Sequence, residues 1–198
     1  YESASFADTI AQVALGASPP AANPKGVAWD LPEIIGLIDA SKHRVRVQLL
    51  SFKNKKRGGG VWSALHQALL RAAHRSVRVE VMFANWSQHH AHEVCALLQH
   101  PNISVKVVTI PTATSGFIPF ARVIHAKYMT IDGKRAWLGT SNWAWGYFHT
   151  SRNVSLFVRN HRFTESLDAV FTGLWTGSYA RAVSVNSRLP RVNVASQR

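Results

Sequence analysis

Strand-like and helix-like apolar patterns alternate along almost the whole chain, and this alternation is the feature that most constrains the fold. Apolar residues at every second position predict strands, and apolar residues at every third or fourth position predict helices. Strands are expected at 6–16, 45–52, 77–84, 103–110, 123–131, 136–138 and 154–158. Helices are expected at 30–42, 61–74, 89–98 and 163–175, with Asp30 capping the first. The pattern predicts an α/β fold, a mixed β-sheet sandwiched by helices.

The length of 198 residues predicts one domain, placed at 1–177, followed by a basic tail at 178–198. Hydrophobic residues at 46% and charged residues at 17% are typical of a globular protein. No apolar run approaches the roughly 20 residues that a transmembrane helix needs. Cys95 is the single cysteine, which excludes an internal disulfide. The chain opens at Tyr1 without a Met or a signal region, which fits a processed product or a fragment.

The charge balance points to a polyanionic partner. Lys and Arg number 23 against 10 Asp and Glu, which leaves a formal charge of +13 at neutral pH. An excess of this size favours nucleic acid first and an anionic membrane surface second.

One stretch combines a fixed spacing with groups suited to phosphate chemistry. His125 and Lys127 are separated by one residue, Asp132 follows after four more, and Gly139-Thr140-Ser141-Asn142 follows after another six. The flanking residues predict a hairpin that turns at Asp132-Gly133. On a strand, His125 and Lys127 would point to the same face, because side chains alternate with period two. An imidazole beside an ammonium suits a phosphate, and the alternative is an ordinary hairpin with a chance pair.

This spacing resembles the signature of the phospholipase D superfamily. The stretches 118–129 and 138–143 are similar to the C-terminal half of animal lysosomal phospholipase D-like proteins, the single-strand 5′-exonuclease branch. Trp86 is similar to a tryptophan that this branch has just past the same strand, and it is expected among the substrate-binding residues. The resemblance extends from about residue 10 to about residue 175.

The resemblance implies a metal-free and cofactor-free mechanism in which two halves each supply a histidine. One histidine attacks phosphorus to form a phosphohistidine, and the other protonates the leaving oxygen. Here His125 would be one of the two, while Lys127 and Asn142 would hold the non-bridging phosphate oxygens, and Thr140 is expected among the substrate-binding residues. Asp132 belongs to the catalytic signature but is expected to organise the turn or pair with a basic group. Because one signature is present, the expected partner is the N-terminal half of the same precursor or a second copy.

One position departs from the superfamily pattern. Many members place a Glu eleven residues after the signature Asn, where it orients the partner histidine, and here that position is Asn153. C-terminal halves of the lysosomal branch also lack this acid. The departure puts a symmetric homodimer in doubt and favours a different half as the partner.

Two further groups are candidates for substrate binding. Lys53, Lys55, Lys56 and Arg57 follow the end of a predicted strand, where open α/β sheets place their ligands, so they predict a phosphate-contacting rim or a solvated basic loop. Trp143 follows the signature, where stacking on an unpaired base and core packing are both open.

Two patterns bear on metals and on location. His89, His90 and His92 lack the spacing of a zinc site, and no stable metal is expected. Three Asn-x-Ser sequons, at Asn85, Asn102 and Asn153, favour a lysosomal or secreted protein.

Together these features predict a phosphodiesterase that acts on single-stranded nucleic acid and is completed by a second half. A phospholipase or phosphatidyl transferase acting on phospholipid is the first alternative. A non-catalytic half that binds nucleic acid or membrane and stabilises a partner is the second.

Overall fold

The computed structural model describes residues 11–56, 58–85, 96–116, 118 and 121–184. Within these residues the chain forms one nine-stranded mixed sheet with the strand order β2-β1-β8-β7-β6-β3-β4-β5-β9. The strands are β1 Gln12–Ser18, β2 Ala28–Trp29, β3 Arg44–Leu49, β4 Arg78–Ala84, β5 Ile103–Val108, β6 Tyr128–Ile131, β7 Arg135–Gly139, β8 Asn153–Arg159 and β9 Ala180–Ala182.

Helices cover both faces of this sheet. The described helices are α1 Asp30–Asp39, α2 Ala64–His74, α3 Trp145–His149 and α4 His161–Thr176, and a short 3-10 helix spans Pro20–Ala22. Helices α1 and α2 pack with the larger core on one face, and Phe171 of α4 packs with Met82 and Tyr128 on the other. The predicted α/β fold with a mixed sheet between helices is therefore confirmed.

The strand directions bring several chain segments to one edge of the sheet. Strands β3, β4 and β5 are parallel, whereas β6 runs antiparallel to β3 and pairs Tyr128 with Gln48. Strand β7 returns antiparallel to β6 and ends at Gly139, which pairs with Ser155 of β8. We call the edge where β1, β3, β4, β5 and β7 end and β6, β8 and β9 begin the front edge. The predicted signature hairpin lies at the middle of the sheet.

Asp30 does not cap α1 with its side chain as predicted. It is the first helical residue, it is fully buried, and its carboxylate accepts hydrogen bonds from the hydroxyls of Ser18 and Ser155. A buried carboxylate without hydrogen-bond partners would be costly, so these two donors explain why it is tolerated inside. The helix also ends at Asp39, three residues earlier than predicted.

The end of the described chain belongs to the sheet. Residues Ala180–Ala182 pair antiparallel with β5, so the sheet continues past residue 177, the predicted end of the domain. Of the strand predicted at 6–16, residues 6–10 lie outside the described residues, and the observed strand β1 spans Gln12–Ser18, two residues beyond the predicted end. Most of the helix predicted at 89–98 lies outside the described residues.

Candidate active site at the front edge of the sheet

His125 and Lys127 lie together at the front edge, but the reason differs from the predicted one. Both residues precede β6, which begins at Tyr128, so they are not part of a regular strand. The backbone N–H of Gly139 still donates to the carbonyl oxygen of Lys127 at 3.0 Å, which extends the pairing by one residue. The Lys127 Nζ lies 3.2 Å from Nδ1 and 3.1 Å from Nε2 of His125. The imidazole and the ammonium are therefore in direct contact.

The two side chains differ in their exposure to solvent. The His125 side chain is exposed, whereas Lys127 is only 8% exposed. Burial lowers the pKa of the Lys127 ammonium below its usual value, since desolvation penalises the charged form. No ion pair within the described part of the chain involves Lys127. The hydrogen-bonding contact of its ammonium among these residues is with the His125 ring.

Asn142 is held in place by the elements on either side of it. Its Oδ1 accepts a hydrogen bond from the backbone N–H of Ser51, just past β3, at 3.2 Å. Its Nδ2 donates to the hydroxyl of Tyr147 in α3 at 3.1 Å, and the residue is 2% exposed. An amide nitrogen has two hydrogens, so one remains for a ligand. Asn142 thus joins the end of β3 to α3 and keeps one donor at the front edge.

Packing explains the glycine of the signature. A Cβ atom on Gly139 would lie 2.6 Å from the indole ring of Trp137 and 3.1 Å from the Ser155 hydroxyl oxygen. The adjacent Thr140 hydroxyl donates to Oδ1 of Asn153 at 2.8 Å and accepts from the backbone N–H of Val154 at 3.2 Å. Thr140 therefore fixes the start of β8 to the end of β7.

Asn153, at the position where many superfamily members have Glu, uses its amide nitrogen for contacts with the preceding loop. Its Nδ2 donates to the carbonyl oxygens of Tyr147 at 2.9 Å and Ser151 at 3.1 Å. With both amide hydrogens in use, the side chain braces the loop between α3 and β8.

Asp132 lies at the opposite edge of the sheet from His125, with the whole of β6 between them. Its carboxylate accepts backbone hydrogen bonds from Lys42, His43 and Arg44, each at 2.8 Å. Burial alone would raise the pKa of Asp132, but these three hydrogen bonds outweigh it and the pKa is lowered. The structure therefore does not bring Asp132 together with His125 and Lys127, and its contacts fit the expected role in organising the turn.

The basic loop, residues 53–60, is joined to the signature. The backbone N–H of Lys53 donates to the carbonyl oxygen of Trp143 at 2.8 Å, and Lys55 forms a β-bridge with Val61. The Lys56 Nζ lies 5.9 Å from the centre of the Trp145 ring, within the range of a cation–π contact. The structure thus brings Lys53, Lys55 and Lys56 to the front edge, while Arg57 lies outside the described residues.

The two tryptophans predicted to bind substrate have different outcomes. Trp143 is fully buried, and its ring packs against Phe52 and Trp137 with centroids 6.2 Å apart in both pairs. A ring in that position has no free face for a base, so the core-packing alternative is correct. Trp86 lies outside the described residues.

A small hydrogen-bond network, which the sequence did not predict, holds the backbone next to His125. The Tyr128 hydroxyl donates to Oε1 of Gln48 at 2.9 Å, and Nε2 of Gln48 lies 3.5 Å from the carbonyl oxygen of Ala126. Burial raises the pKa of Tyr128, which keeps its hydroxyl protonated and donating. Gln48 is 2% exposed although it occupies a polar position in an alternating strand, and no local signal distinguishes it from a solvated residue.

The described residues contain no cluster of three or more His, Cys, Asp or Glu side chains suited to a metal ion, and the histidine group at 89–92 lies outside them. No helix among them is long and apolar enough to cross a membrane.

Residues 34–175 match a family described as cardiolipin synthase, phospholipase D-like domain. That match covers most of the chain and includes the whole signature. The chain belongs to the phospholipase D-like family. The resemblance inferred from the spacing of the signature is therefore confirmed.

Known proteins of this family are similar to the chain over most of its length. It is 28% identical over 191 residues to a probable phospholipase D of Caenorhabditis elegans, covering 86% of this chain and 34% of the worm protein. It is 30% identical over 203 residues to the 5′-3′ exonuclease PLD3 of Xenopus tropicalis, covering 90% of this chain and 40% of the frog protein. The phospholipase D-like chain thus spans about two fifths or less of either relative.

The fold is also similar to that of a solved structure. NucT from Helicobacter pylori superposes with a TM-score of 0.71 at 17% identity, over 88% of this chain and 100% of that chain. At this identity the likeness concerns the fold, and it supports the mixed sheet between helices.

Proposed function

We propose that this chain is one catalytic half of a phosphodiesterase that cleaves single-stranded nucleic acid, with His125 as one of two reacting histidines. The observation that carries the proposal is the direct contact between the exposed His125 ring and the Lys127 ammonium at the front edge. An imidazole is a competent nucleophile and acid near neutral pH, and an ammonium beside it attracts the phosphate that the imidazole would attack.

In the proposed reaction, a ring nitrogen of one histidine forms a bond to phosphorus as the bond from phosphorus to the leaving oxygen breaks. The imidazolium of the second histidine gives its proton to that oxygen. Water then attacks phosphorus, the phosphorus–nitrogen bond breaks, and the second histidine takes up the proton of the water. The first histidine is regenerated, and the net change is hydrolysis of one phosphodiester bond.

Lys127 and Asn142 are proposed to stabilise the charge on the non-bridging oxygens. Lys127 is largely shielded from water, and an interaction with an anion is stronger where solvent is excluded. Asn142 is fixed by Ser51 and Tyr147 before any substrate arrives, so it is preorganised rather than recruited. Lys127 directly precedes β6 and Asn142 follows the end of β7, so both groups lie at the front edge.

Nucleic acid is proposed as the substrate because the charge of the chain and the name of one of the two relatives favour it. The formal charge is +13, and the basic loop places three lysines beside the signature. The frog relative is named a 5′-3′ exonuclease. A phospholipid substrate is the second candidate, because the matching family description names cardiolipin synthase. The two substrates share the phosphodiester, so binding measurements must separate them.

The site is proposed to be completed by a second phospholipase D-like half. The attacking and leaving groups lie on opposite sides of phosphorus, so one imidazole cannot act on both in the same step. The 198 residues carry one copy of the signature, and both relatives are more than twice as long. The non-catalytic alternative has less support, because His125 and Lys127 are present and in contact.

Replacing Lys53, Lys55 and Lys56 together by Ser is expected to weaken binding of a single-stranded oligonucleotide and to reduce its salt dependence. Each lost phosphate contact lowers the slope of log K against log salt concentration by about 0.7, so the slope should fall by about 2. Fluorescence anisotropy at several salt concentrations measures this.

The matched control removes three charges from the other edge of the sheet. Lys134, Arg135 and Arg159 lie at the end of β8 and around the start of β7, so replacing them by Ser should change the slope less. Equal slopes for the two triple variants would show that the basic loop is a solvated surface that makes no phosphate contacts. Binding of anionic phosphatidylglycerol vesicles but not of the oligonucleotide would favour the lipid candidate.

Hydrolysis of a fluorogenic phosphodiester is expected to survive dialysis against EDTA. In the proposed mechanism, imidazole and ammonium groups do the work that other phosphodiesterases give to a divalent cation. Activity before and after dialysis is compared for the assembled enzyme. Complete loss that one divalent metal restores would contradict the mechanism while leaving the family assignment intact.

A further inference from the structure

A cavity lies at the edge of the sheet opposite the front edge, between α1 and the strands β1, β7 and β8. We call this edge, where β1 and β7 begin and β8 ends, the back edge, and we call the cavity the back-edge cavity. Its volume is about 260 Å³, and the side chains that line it include those of Gln12, Ala14, Leu37, Arg135, Phe157 and Arg159. Arg135 begins β7 and Gly139 of the signature ends it, and at a rise of about 3.3 Å per residue the two lie roughly 13 Å apart. The back-edge cavity is therefore separate from the site that contains His125.

The two arginines of the back-edge cavity lie opposite each other on neighbouring strands. Arg135 pairs with Arg159 across β7 and β8, and Arg159 pairs in turn with Gln12 of β1. Both side chains lie on the α1 face of the sheet, since Phe157, two residues before Arg159, packs with the core on that face. Like charges directly opposite each other destabilise a sheet. Two guanidinium groups that repel each other therefore meet at this cavity.

No carboxylate among the described residues neutralises this pair. Neither Arg135 nor Arg159 forms an ion pair or a side-chain hydrogen bond within the described part of the chain. The acids nearest to the cavity in the sequence of α1 are Glu33 and Asp39. Asp39 accepts hydrogen bonds from Arg71 at 3.0 and 2.8 Å, and Glu33 forms no ion pair with any described residue. The positive charge at the back-edge cavity is thus without a counter-charge in the part of the chain that the structure describes.

We propose that the back-edge cavity binds a phosphate monoester, with the phosphate between Arg135 and Arg159 and the esterified group against Ala14 and Phe157. A guanidinium presents paired N–H donors that match two phosphate oxygens, so an anion between the two arginines replaces their repulsion by attraction. A monoester carries between one and two negative charges near neutral pH, which suits two guanidinium groups, whereas an internal phosphodiester carries one. An oligonucleotide with hydroxyl ends has no such group and should not occupy the cavity.

The apolar lining explains why an ester suits the cavity better than inorganic phosphate. Ala14 pairs with Phe157 across β1 and β8, and its small side chain leaves room beside the half-buried ring. Leu37 of α1 adds a further apolar contact surface. Small-molecule sites commonly combine an apolar lining with a few polar groups that fix the orientation of the ligand. Binding here requires neither the chemistry of His125 nor a second half, so it is independent of the proposed function.

Isothermal titration calorimetry of the full chain tests the proposal with adenosine 5′-monophosphate, glycerol 3-phosphate, inorganic phosphate and adenosine. The tighter of the two monoesters should bind more strongly than inorganic phosphate, and it identifies the source as a nucleotide or a lipid headgroup. Adenosine should bind at least tenfold more weakly than its monophosphate. The double variant Arg135→Gln/Arg159→Gln should weaken monoester binding at least tenfold. Arg78→Gln/Arg181→Gln is the matched control, since it removes the same charge from exposed positions on β4 and β9 and should bind as wild type does.

Ala14→Ile separates a ligand seated in the cavity from one held by charge alone. Isoleucine suits a strand and fills the space beside Phe157 without changing the charge, so monoester binding should weaken at least tenfold. Circular dichroism melting verifies that each variant is folded, and Arg159→Gln alone or Ala14→Val replaces a variant that is not. A phosphate bound at the front edge would be insensitive to these changes. Wild-type affinity in the arginine variant or in Ala14→Ile, or no monoester binding at millimolar concentration, would overturn the proposal and leave the phosphodiesterase assignment standing. Equal affinity for adenosine and its monophosphate would overturn it too.

Discussion

Replacing His125 by Ala is expected to lower kcat by about 10³-fold or more, because it removes a group that forms or breaks a bond in the reaction. The melting temperature should stay unchanged, since the His125 side chain is exposed and its recorded hydrogen-bonding contact is with Lys127. The assay uses the assembled enzyme and a single-stranded oligonucleotide labelled at one end. Binding of that oligonucleotide should persist, because the basic loop is intact.

His161→Ala is the control for a histidine lost elsewhere. His161 is well exposed at the start of α4, and its nearest charged partner is Glu165 at 3.2 Å. This variant should retain wild-type activity. If His125→Ala keeps activity within tenfold of wild type, the assignment of His125 fails, whatever the substrate proves to be.

The fold and the position of the signature were predictable because both depend on local patterns. Period-two and helical spacings identify strands and helices from neighbouring residues alone, and their alternation leaves few architectures. Asp132 and Gly133 predicted the hairpin turn, and both adopt the left-handed conformation there, with φ of 53° and 67°. That conformation is one that Asp and Gly tolerate better than most residues do.

What the sequence did not reveal depends on contacts between distant segments. The spacing identifies Asn142 as a signature residue, but it does not show that Ser51 and Tyr147, from two other parts of the chain, hold its side chain in place. Trp143 reads as a candidate stacking residue, yet Phe52 and Trp137 surround it in the core. Such burial is set by how strands pair across the sheet, which local patterns do not encode.

The polar residues under α4 illustrate the same limit. Arg44 of β3 forms an ion pair with Asp168 of α4 at 2.7 Å, and the Thr130 hydroxyl donates to the same carboxylate at 2.6 Å. In the sequence these strand positions alternate with apolar residues and predict a solvent-facing side. They instead form a polar layer between helix and sheet, where each charge is paired.

Replacing Asp132 by Gly is expected to lower the free energy of unfolding by about 2 kcal/mol. The change removes a carboxylate that accepts three backbone hydrogen bonds, and each bond to a charged acceptor contributes about 1.5–3 kcal/mol when fully shielded. The expected loss is smaller than the sum of three such bonds because this turn is partly exposed, and water there replaces some of the lost hydrogen bonds. Glycine is chosen because it accepts the φ of 53° at this position without strain. Urea denaturation at neutral pH measures the difference.

Asp132→Asn is the matched control, and the pH dependence supplies the decisive test. Asn keeps an oxygen for His43 and Arg44 but presents an N–H₂ group to the backbone N–H of Lys42. The free energy of unfolding of Asp132→Asn should therefore lie between those of wild type and Asp132→Gly. The pKa of Asp132 is lowered in the folded state, so its contribution is fully present above the unfolded value of about 3.9. The difference in free energy of unfolding between wild type and Asp132→Gly should therefore be constant from about pH 5 to 8. It should become smaller below about pH 4 and vanish as the pH falls through the pKa of Asp132 in the folded state. A gap that stays constant or widens on acidification would show that the ionised carboxylate does not hold the turn between α1 and β3.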